Sequence, residues 1–152
     1  MKNALRLCSF LVLSLAACGG AEEQAEPTAD PMATRVAPAN ASVSIVAPAD
    51  GSEVTGSSVT VQLELAGMPL VPAGEMTPGT GHHHLYLDAD LTDASAPVPT
   101  VPGSIIHMGD ASSTYTFEGV SPGEHRLIAV VADFAHFPLQ PWVVDTVTFT
   151  VR

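Results

Sequence analysis

The chain has few cysteines and few basic residues, and both shortages exclude kinds of chemistry. Its two cysteines are Cys8 and Cys18, so a domain after residue 18 has no disulfide, cysteine-bound metal or cysteine nucleophile. Lys2 is the one lysine, which excludes Schiff-base chemistry from the rest of the chain. Five basic residues stand against 16 acidic ones, a formal net charge of −11. Neither nucleic acid nor an anionic membrane surface is therefore an expected partner.

Aromatic and charged residues are also scarce, at 5% and 14%, whereas 46% of the residues are hydrophobic. The expected core is therefore aliphatic. The 13 prolines and 12 glycines are too many for a helical bundle and favour short strands joined by turns. The sequence contains no Gly-x-Ser-x-Gly elbow, phosphate loop or dinucleotide fingerprint. The absence of these motifs leads us to expect that the protein is not an enzyme. Its length of 152 residues suits one domain.

The N-terminal residues indicate export. Lys2 and Arg6 precede a short apolar run at 10–17, which has the proportions of a cleaved signal rather than of a membrane-spanning helix. The sequence Leu-Ala-Ala-Cys-Gly at 15–19 resembles the bacterial lipoprotein signal. That resemblance implies a signal peptide at 1–17, acylation of Cys18 and a lipid anchor in the cell envelope. The residue after Cys18 is Gly19 rather than Asp, which resembles the sorting pattern of outer-membrane lipoproteins. The alternative is an ordinary secretory signal with a chance cysteine.

The rest of the chain divides into a tether and one domain. Residues 18–41 are rich in Ala, Glu, Pro and Thr and predict a disordered acidic tether. From residue 42 onward, alternating apolar and polar residues predict about seven strands and no amphipathic helix. We therefore expect an all-β, immunoglobulin-like β-sandwich over 42–152 that lacks disulfides. The predicted strands lie near residues 42–47, 59–65, 82–88, 105–108, 114–118, 124–133 and 143–151.

Six histidines carry the strongest chemical signal, and all of them lie in this domain. His82 and His84 share one face of their predicted strand, about 6.5–7 Å apart at Cα, so both rings can lean onto one metal ion. A third ligand is expected from the later histidines, His107, His125 or His136. With no thiolate available, the site would suit Zn²⁺ or Cu²⁺.

Each of these residues also has a purely structural interpretation. Ligation and structure are about evenly balanced for His82 with His84, whereas packing is favoured for His83 and His125. Hydrogen bonds among imidazoles and the candidate partners Asp88 and Asp133 would alone explain a histidine cluster. His136 is expected in a loop, where a functional role is more common. The acidic residues at 88, 90 and 93 lack the glycine and closing glutamate of an EF-hand loop.

Four motifs occur in order along the domain: Gly-His-His-His-Leu-Tyr-Leu-Asp at 81–88, Ile-His-Met-Gly at 106–109, Pro-Gly-Glu-His-Arg-Leu at 122–127 and Asp-Phe-Ala-His-Phe-Pro at 133–138. Together they resemble DUF4399, a bacterial family of unknown function, from about residue 43 to 152. The resemblance implies a small exported β domain with a histidine cluster and no established activity. Ile105 and Leu139 stand where relatives often have histidine.

Three functions remain open at this point. The first is a lipid-anchored domain that binds a transition metal through some of these histidines. The second is a structural or adhesive module whose histidines only pack and whose partner is a protein or glycan. The third is a metal-dependent enzyme, which needs an open coordination position and an acid or base such as Asp88 or Asp133.

Overall fold

The computed structural model describes residues 33–152. The predicted signal peptide at 1–17, Cys18 and most of the predicted tether lie outside the described residues. In chain order the elements are a 3-10 turn, η1 (Ala33–Arg35), and eight strands: β1 (Ser42–Ala47), β2 (Ser52–Val54), β3 (Val59–Ala66), β4 (His82–Leu87), β5 (Ile105–Met108), β6 (Thr114–Phe117), β7 (Gly123–Ala132) and β8 (Val144–Val151). No helix within residues 33–152 is long and apolar enough to cross a membrane.

The strands form two sheets that face each other. The three-stranded sheet has the order β1-β3-β6, and the five-stranded sheet has the order β2-β8-β7-β4-β5. In β1 and β3, buried and exposed residues alternate, as expected for strands with one face on the core. The aliphatic core lies between the sheets and includes Val61, Leu85, Leu127 and Val131. The expected all-β sandwich is confirmed.

The five-stranded sheet is also covered on its outer face. Every residue of β4 is buried. Its inward residues join the main core, whereas Tyr86 packs outward in a second apolar cluster with Val98, Ile128 and Trp142. Val98 belongs to the long loop before β5 and Trp142 to the loop before β8. These loops therefore shield the outer side of β4 from solvent.

The described fold differs from the sequence expectation in two places. The structure has one strand, β2, that was not among the seven predicted; it pairs in parallel with the end of β8, and its three residues are too few to show alternation. The folded part also begins before residue 42, because η1 packs on the loop that follows β7. Gln140 N donates to Arg35 O at 2.6 Å, and Ala37 N donates to Gln140 O at 2.8 Å.

Candidate metal centre

The register of three neighbouring strands brings histidines together on the outer face of the large sheet. His84 lies opposite His107 of β5 and opposite Val130 of β7, and His82 lies opposite Ala132. Directly opposed residues in an antiparallel pair point to the same face, so His82, His84 and His107 share it. Strand alternation predicted the first two; the third depends on the pairing of β4 with β5.

A loop delivers the fourth histidine. His136 follows β7 and has a φ of 69°, a left-handed conformation that is uncommon for a residue other than glycine. The carboxylate of Asp133 supports this loop, since Oδ1 accepts hydrogen bonds from Ala135 N at 2.9 Å and Phe137 N at 3.0 Å. Val98 N donates to His136 O at 2.8 Å, which joins the two covering loops. His136 is thereby held over β4.

The four imidazoles form one cluster. The distances between ring centroids run from 4.5 Å for His107 and His136 to 5.7 Å for His84 and His136. The Nε2 atoms of His82 and His84 lie 3.1 Å apart, and those of His107 and His136 lie 3.2 Å apart. Nitrogen ligands of a tetrahedral ion at about 2.0–2.1 Å would lie about 3.3–3.4 Å from one another.

One ligand atom from each of His82, His107 and His136 lies within 4.8 Å of the others, so this trio can hold a metal ion. His84 adjoins the trio through its contact with His82 Nε2. His82 and His84 are fully buried, whereas His107 and His136 are partly exposed. The cluster therefore has a deep pair and a rim pair of imidazoles.

Burial keeps the deep imidazoles uncharged. Burial, together with the neighbouring imidazoles, lowers the pKa of His82 to about 3 and that of His84 to about 2. Burial and His136 also lower the pKa of His107, although Asp110 opposes this shift. A neutral imidazole offers a nitrogen lone pair, which is the form that binds a metal ion.

The deep rings are held by packing rather than by a shell of hydrogen bonds. Nδ1 of His82 and Nδ1 of His84 are buried and have no hydrogen-bond partner within residues 33–152. In most metal sites that nitrogen donates to a carboxylate or carbonyl group. At the rim, the close neighbour is Gly109: a Cβ there would lie 2.3 Å from His107 Cε1 and 2.6 Å from His107 Nε2. Gly109 was not among the predicted site residues.

The other two histidines lie apart from the cluster. His83 points to the inner face, is fully buried, and neither of its ring nitrogens has a hydrogen-bond partner among the described residues. His125 Nδ1 contacts Asp88 Oδ2 at 2.7 Å, and His125 Nε2 contacts Ser121 O at 2.8 Å. Both nitrogens of His125 are thus occupied, which leaves none for a metal ion. Asp88 also accepts a hydrogen bond from Arg126 N at 2.9 Å.

A separate polar cleft lies beside His125. It has a volume of about 390 Å³ and is lined by Asp88, Glu124, His125, Arg126 and Thr148. Burial lowers the pKa of His125, but the hydrogen bonds to Asp88 and Ser121 and the charge of Asp88 outweigh it, so the net shift is upward. The pKa of His125 is therefore shifted in the opposite direction from those of His82, His84 and His107.

The fold and the cluster define a class: a β-sandwich domain with four imidazoles gathered on the outer face of its larger sheet. The particular family follows from its sequence, because residues 61–152 match the family described as "Domain of unknown function (DUF4399)". The chain belongs to this family. No curated protein matches it.

Two solved structures are similar to this chain at low identity. One is described as an engineered protein; it is 16% identical, with a TM-score of 0.42, and the match covers 76% of this chain and 21% of that one. The other is the endo-beta-1,4-mannanase from Thermotoga petrophila, 15% identical, with a TM-score of 0.44, covering 74% of this chain and 20% of the enzyme. The present chain thus spans about a fifth of the length of each.

Proposed function

We propose that this domain binds one transition-metal ion, Zn²⁺ or Cu²⁺, through His82, His84, His107 and His136. The observation that carries the proposal is the convergence of four imidazoles from β4, β5 and the loop after β7. The paired Nε2 atoms lie 3.1 Å and 3.2 Å apart, close to the separation of two nitrogen ligands of a tetrahedral ion. An all-nitrogen donor set without thiolate suits both ions.

Binding fits this donor set better than catalysis. Catalytic zinc sites keep three protein ligands and one open position, whereas here a fourth imidazole, His84, adjoins the trio and would close the set. Asp133, one of the two acids considered for an enzyme, is 1% exposed and hydrogen-bonded to its own loop. Asp88, the other, is engaged with His125 and Arg126. We therefore propose storage, delivery or sensing of the ion rather than turnover.

We also propose a cellular location for the domain. The lipoprotein-like signal and Cys18 support export and a lipid anchor in the cell envelope, at the outer membrane, with the domain held outside the cytoplasm. Metabolic labelling with a fatty acid tests the proposed lipid anchor. We expect label on the wild-type chain and none on Cys18→Ser; equal labelling of both would overturn the anchor.

The metal proposal is tested by elemental analysis and calorimetric titration of the full chain, purified without a polyhistidine tag. We expect one equivalent of Zn²⁺ or Cu²⁺ in the wild type. The double variant His107→Gln/His136→Gln removes the rim pair and should weaken binding at least a hundredfold, since outer-shell partners alone are worth about 10–100-fold.

His125→Gln is the matched control, because it removes an imidazole outside the cluster and should leave the stoichiometry and affinity unchanged. A folded wild type that binds neither ion would overturn the proposal. It would favour the alternative, a structural or adhesive module with a protein or glycan partner.

A further inference from the structure

The N-terminal segment Thr34–Ala37, here called the strap, packs directly on the loop that carries His136. Thr34 Oγ1 donates to Asp133 Oδ2 at 3.0 Å, and Arg35 Nε lies 3.8 Å from the same oxygen. The Arg35 guanidinium also lies over the Phe137 ring, 3.4 Å from its centroid. The strap thus contacts the residues on both sides of His136.

Backbone hydrogen bonds fix the far end of the strap. Val36 pairs in parallel with Gln140, so that Ala37 N donates to Gln140 O and Gln140 N donates to Arg35 O. The loop from 133 to 140 is therefore attached to the strap at its beginning and at its end. His136 lies between these two attachments.

One buried carboxylate serves both the strap and the metal-binding loop. Asp133 Oδ2 accepts the Thr34 hydrogen bond, while Asp133 Oδ1 accepts those from Ala135 N and Phe137 N. These two amides bracket His136, whose left-handed backbone costs conformational energy unless its surroundings hold it. The strap and the loop therefore both fix the orientation of the Asp133 carboxylate.

We propose that the strap is a positioning element of the metal centre, so that metal binding and strap docking stabilise each other. This inference rests on the proposed function. Thr34, Arg35 and Asp133 act through His136 and are positioning residues rather than ligands. Coupling between two binding events is reciprocal: if docking raises metal affinity by some factor, the metal favours docking by the same factor. In the sequence, the strap follows the segment that begins at Cys18, the proposed site of the lipid anchor. Metal binding would therefore be coupled to the docking of the part of the chain nearest that segment.

The first test measures Zn²⁺ affinity in the full chain. Thr34→Val with Arg35→Ala should keep one equivalent but weaken binding about 10–100-fold, the range for outer-shell partners. Thr34→Ser keeps the hydroxyl and should bind as the wild type does. Arg152→Ala is the matched control, because Arg152 pairs with Glu53 away from the centre. Unchanged affinity in the strap variant would overturn the inference.

The second test needs no substitution in the strap. Trypsin cleaves after arginine, and Arg35 stands in the strap, so the rate of cleavage between Arg35 and Val36 reports undocking. Zn²⁺ should slow this cleavage in the wild type by a factor equal to the affinity change in the first test. The rate should not change with Zn²⁺ in His107→Gln/His136→Gln.

The outcomes separate the two claims. A wild type that binds no Zn²⁺ contradicts the proposed function itself. A wild type that binds one equivalent, with no slowing of cleavage at Arg35, contradicts the strap alone.

Discussion

Gly109 lies directly against the ring of His107 and leaves no room for a side chain. Its φ is not in the left-handed region, so the requirement for glycine here is one of space rather than of backbone conformation. A Cβ at this position would lie 2.3 Å from His107 Cε1 and 3.2 Å from the Cβ of Ala73. Non-bonded carbon atoms pack at about 3.5–4.0 Å, so the ring would have to move.

Gly109→Ala should therefore displace His107 from the cluster and weaken Zn²⁺ binding about tenfold or more, while the domain stays folded. Titration calorimetry measures the affinity, and circular dichroism checks the fold. Gly119→Ala controls for a destabilising methyl group away from the site: nothing lies within 4 Å of it, but its φ of +71° strains an alanine, so it should lower stability without changing Zn²⁺ affinity. Wild-type affinity in Gly109→Ala would show that His107 does not need its observed position.

Residue-level signals in the sequence were sufficient for part of this site. His82 and His84 at positions i and i+2 had to share a face of any strand, and they do. His107 could not be placed in the same way, because its position depends on the β4–β5 register, which is set by long-range packing. The link from the strap to the loop that carries His136 is a hydrogen bond across 99 residues, from Thr34 to Asp133, which local patterns do not contain.

At the level of elements, β4 is unusual in burying polar rings on both of its faces. Its inner face carries His83 opposite Met108 and Val131, within the aliphatic core. Burial lowers the pKa of His83 to about 4, from an ordinary value of 6.5. A histidine whose pKa is lowered by folding stabilises the folded state fully above pH 6.5. That contribution is lost progressively as the pH falls from 6.5 toward 4.

His83→Leu should accordingly change the acid stability of the metal-free chain. At pH 7 we expect it to raise the free energy of unfolding by about 1–2 kcal/mol, because a buried group without hydrogen bonds is replaced by an apolar one. Between pH 7 and pH 4 the variant should lose roughly 3 kcal/mol less than the wild type, at about 1.4 kcal/mol per pKa unit.

Urea unfolding of both chains across this pH range measures the difference. If the free energy of unfolding fell equally with pH in the two chains between pH 7 and pH 4, the prediction would be contradicted. Glu64→Gln serves as a surface control for the effect of a changed titratable group, because Glu64 is exposed on β3.

The sequence also predicted most elements of the fold. Alternation located β1, β3 and β8, since each has one face on the core and one toward solvent. It could not reveal that the outer face of the large sheet is covered, because that depends on where the loops with Val98 and Trp142 fold back. The histidine cluster lies on this covered face, so its depth became visible only in three dimensions.

At the scale of the whole molecule, metal binding should stabilise the folded chain. The four ligands come from residues 82 to 136, which are far apart in the unfolded chain, so the folded state should bind the ion much more tightly. At a free-ion concentration of 100 times Kd, the stabilisation is about 2.7 kcal/mol. For a domain of this size that corresponds to a rise in Tm of about 10 °C.

Differential scanning calorimetry of the full chain, with Zn²⁺ and again after EDTA, measures this rise and its reversal. His107→Gln/His136→Gln should show no rise at the same concentration, although its metal-free Tm should remain within a few degrees of that of the wild type. The remaining pair, His82 and His84, is fully buried and provides two of the four nitrogens. An equal rise in both chains would mean that Zn²⁺ binds elsewhere, for example at the surface carboxylates, and that the imidazole cluster has a packing role only.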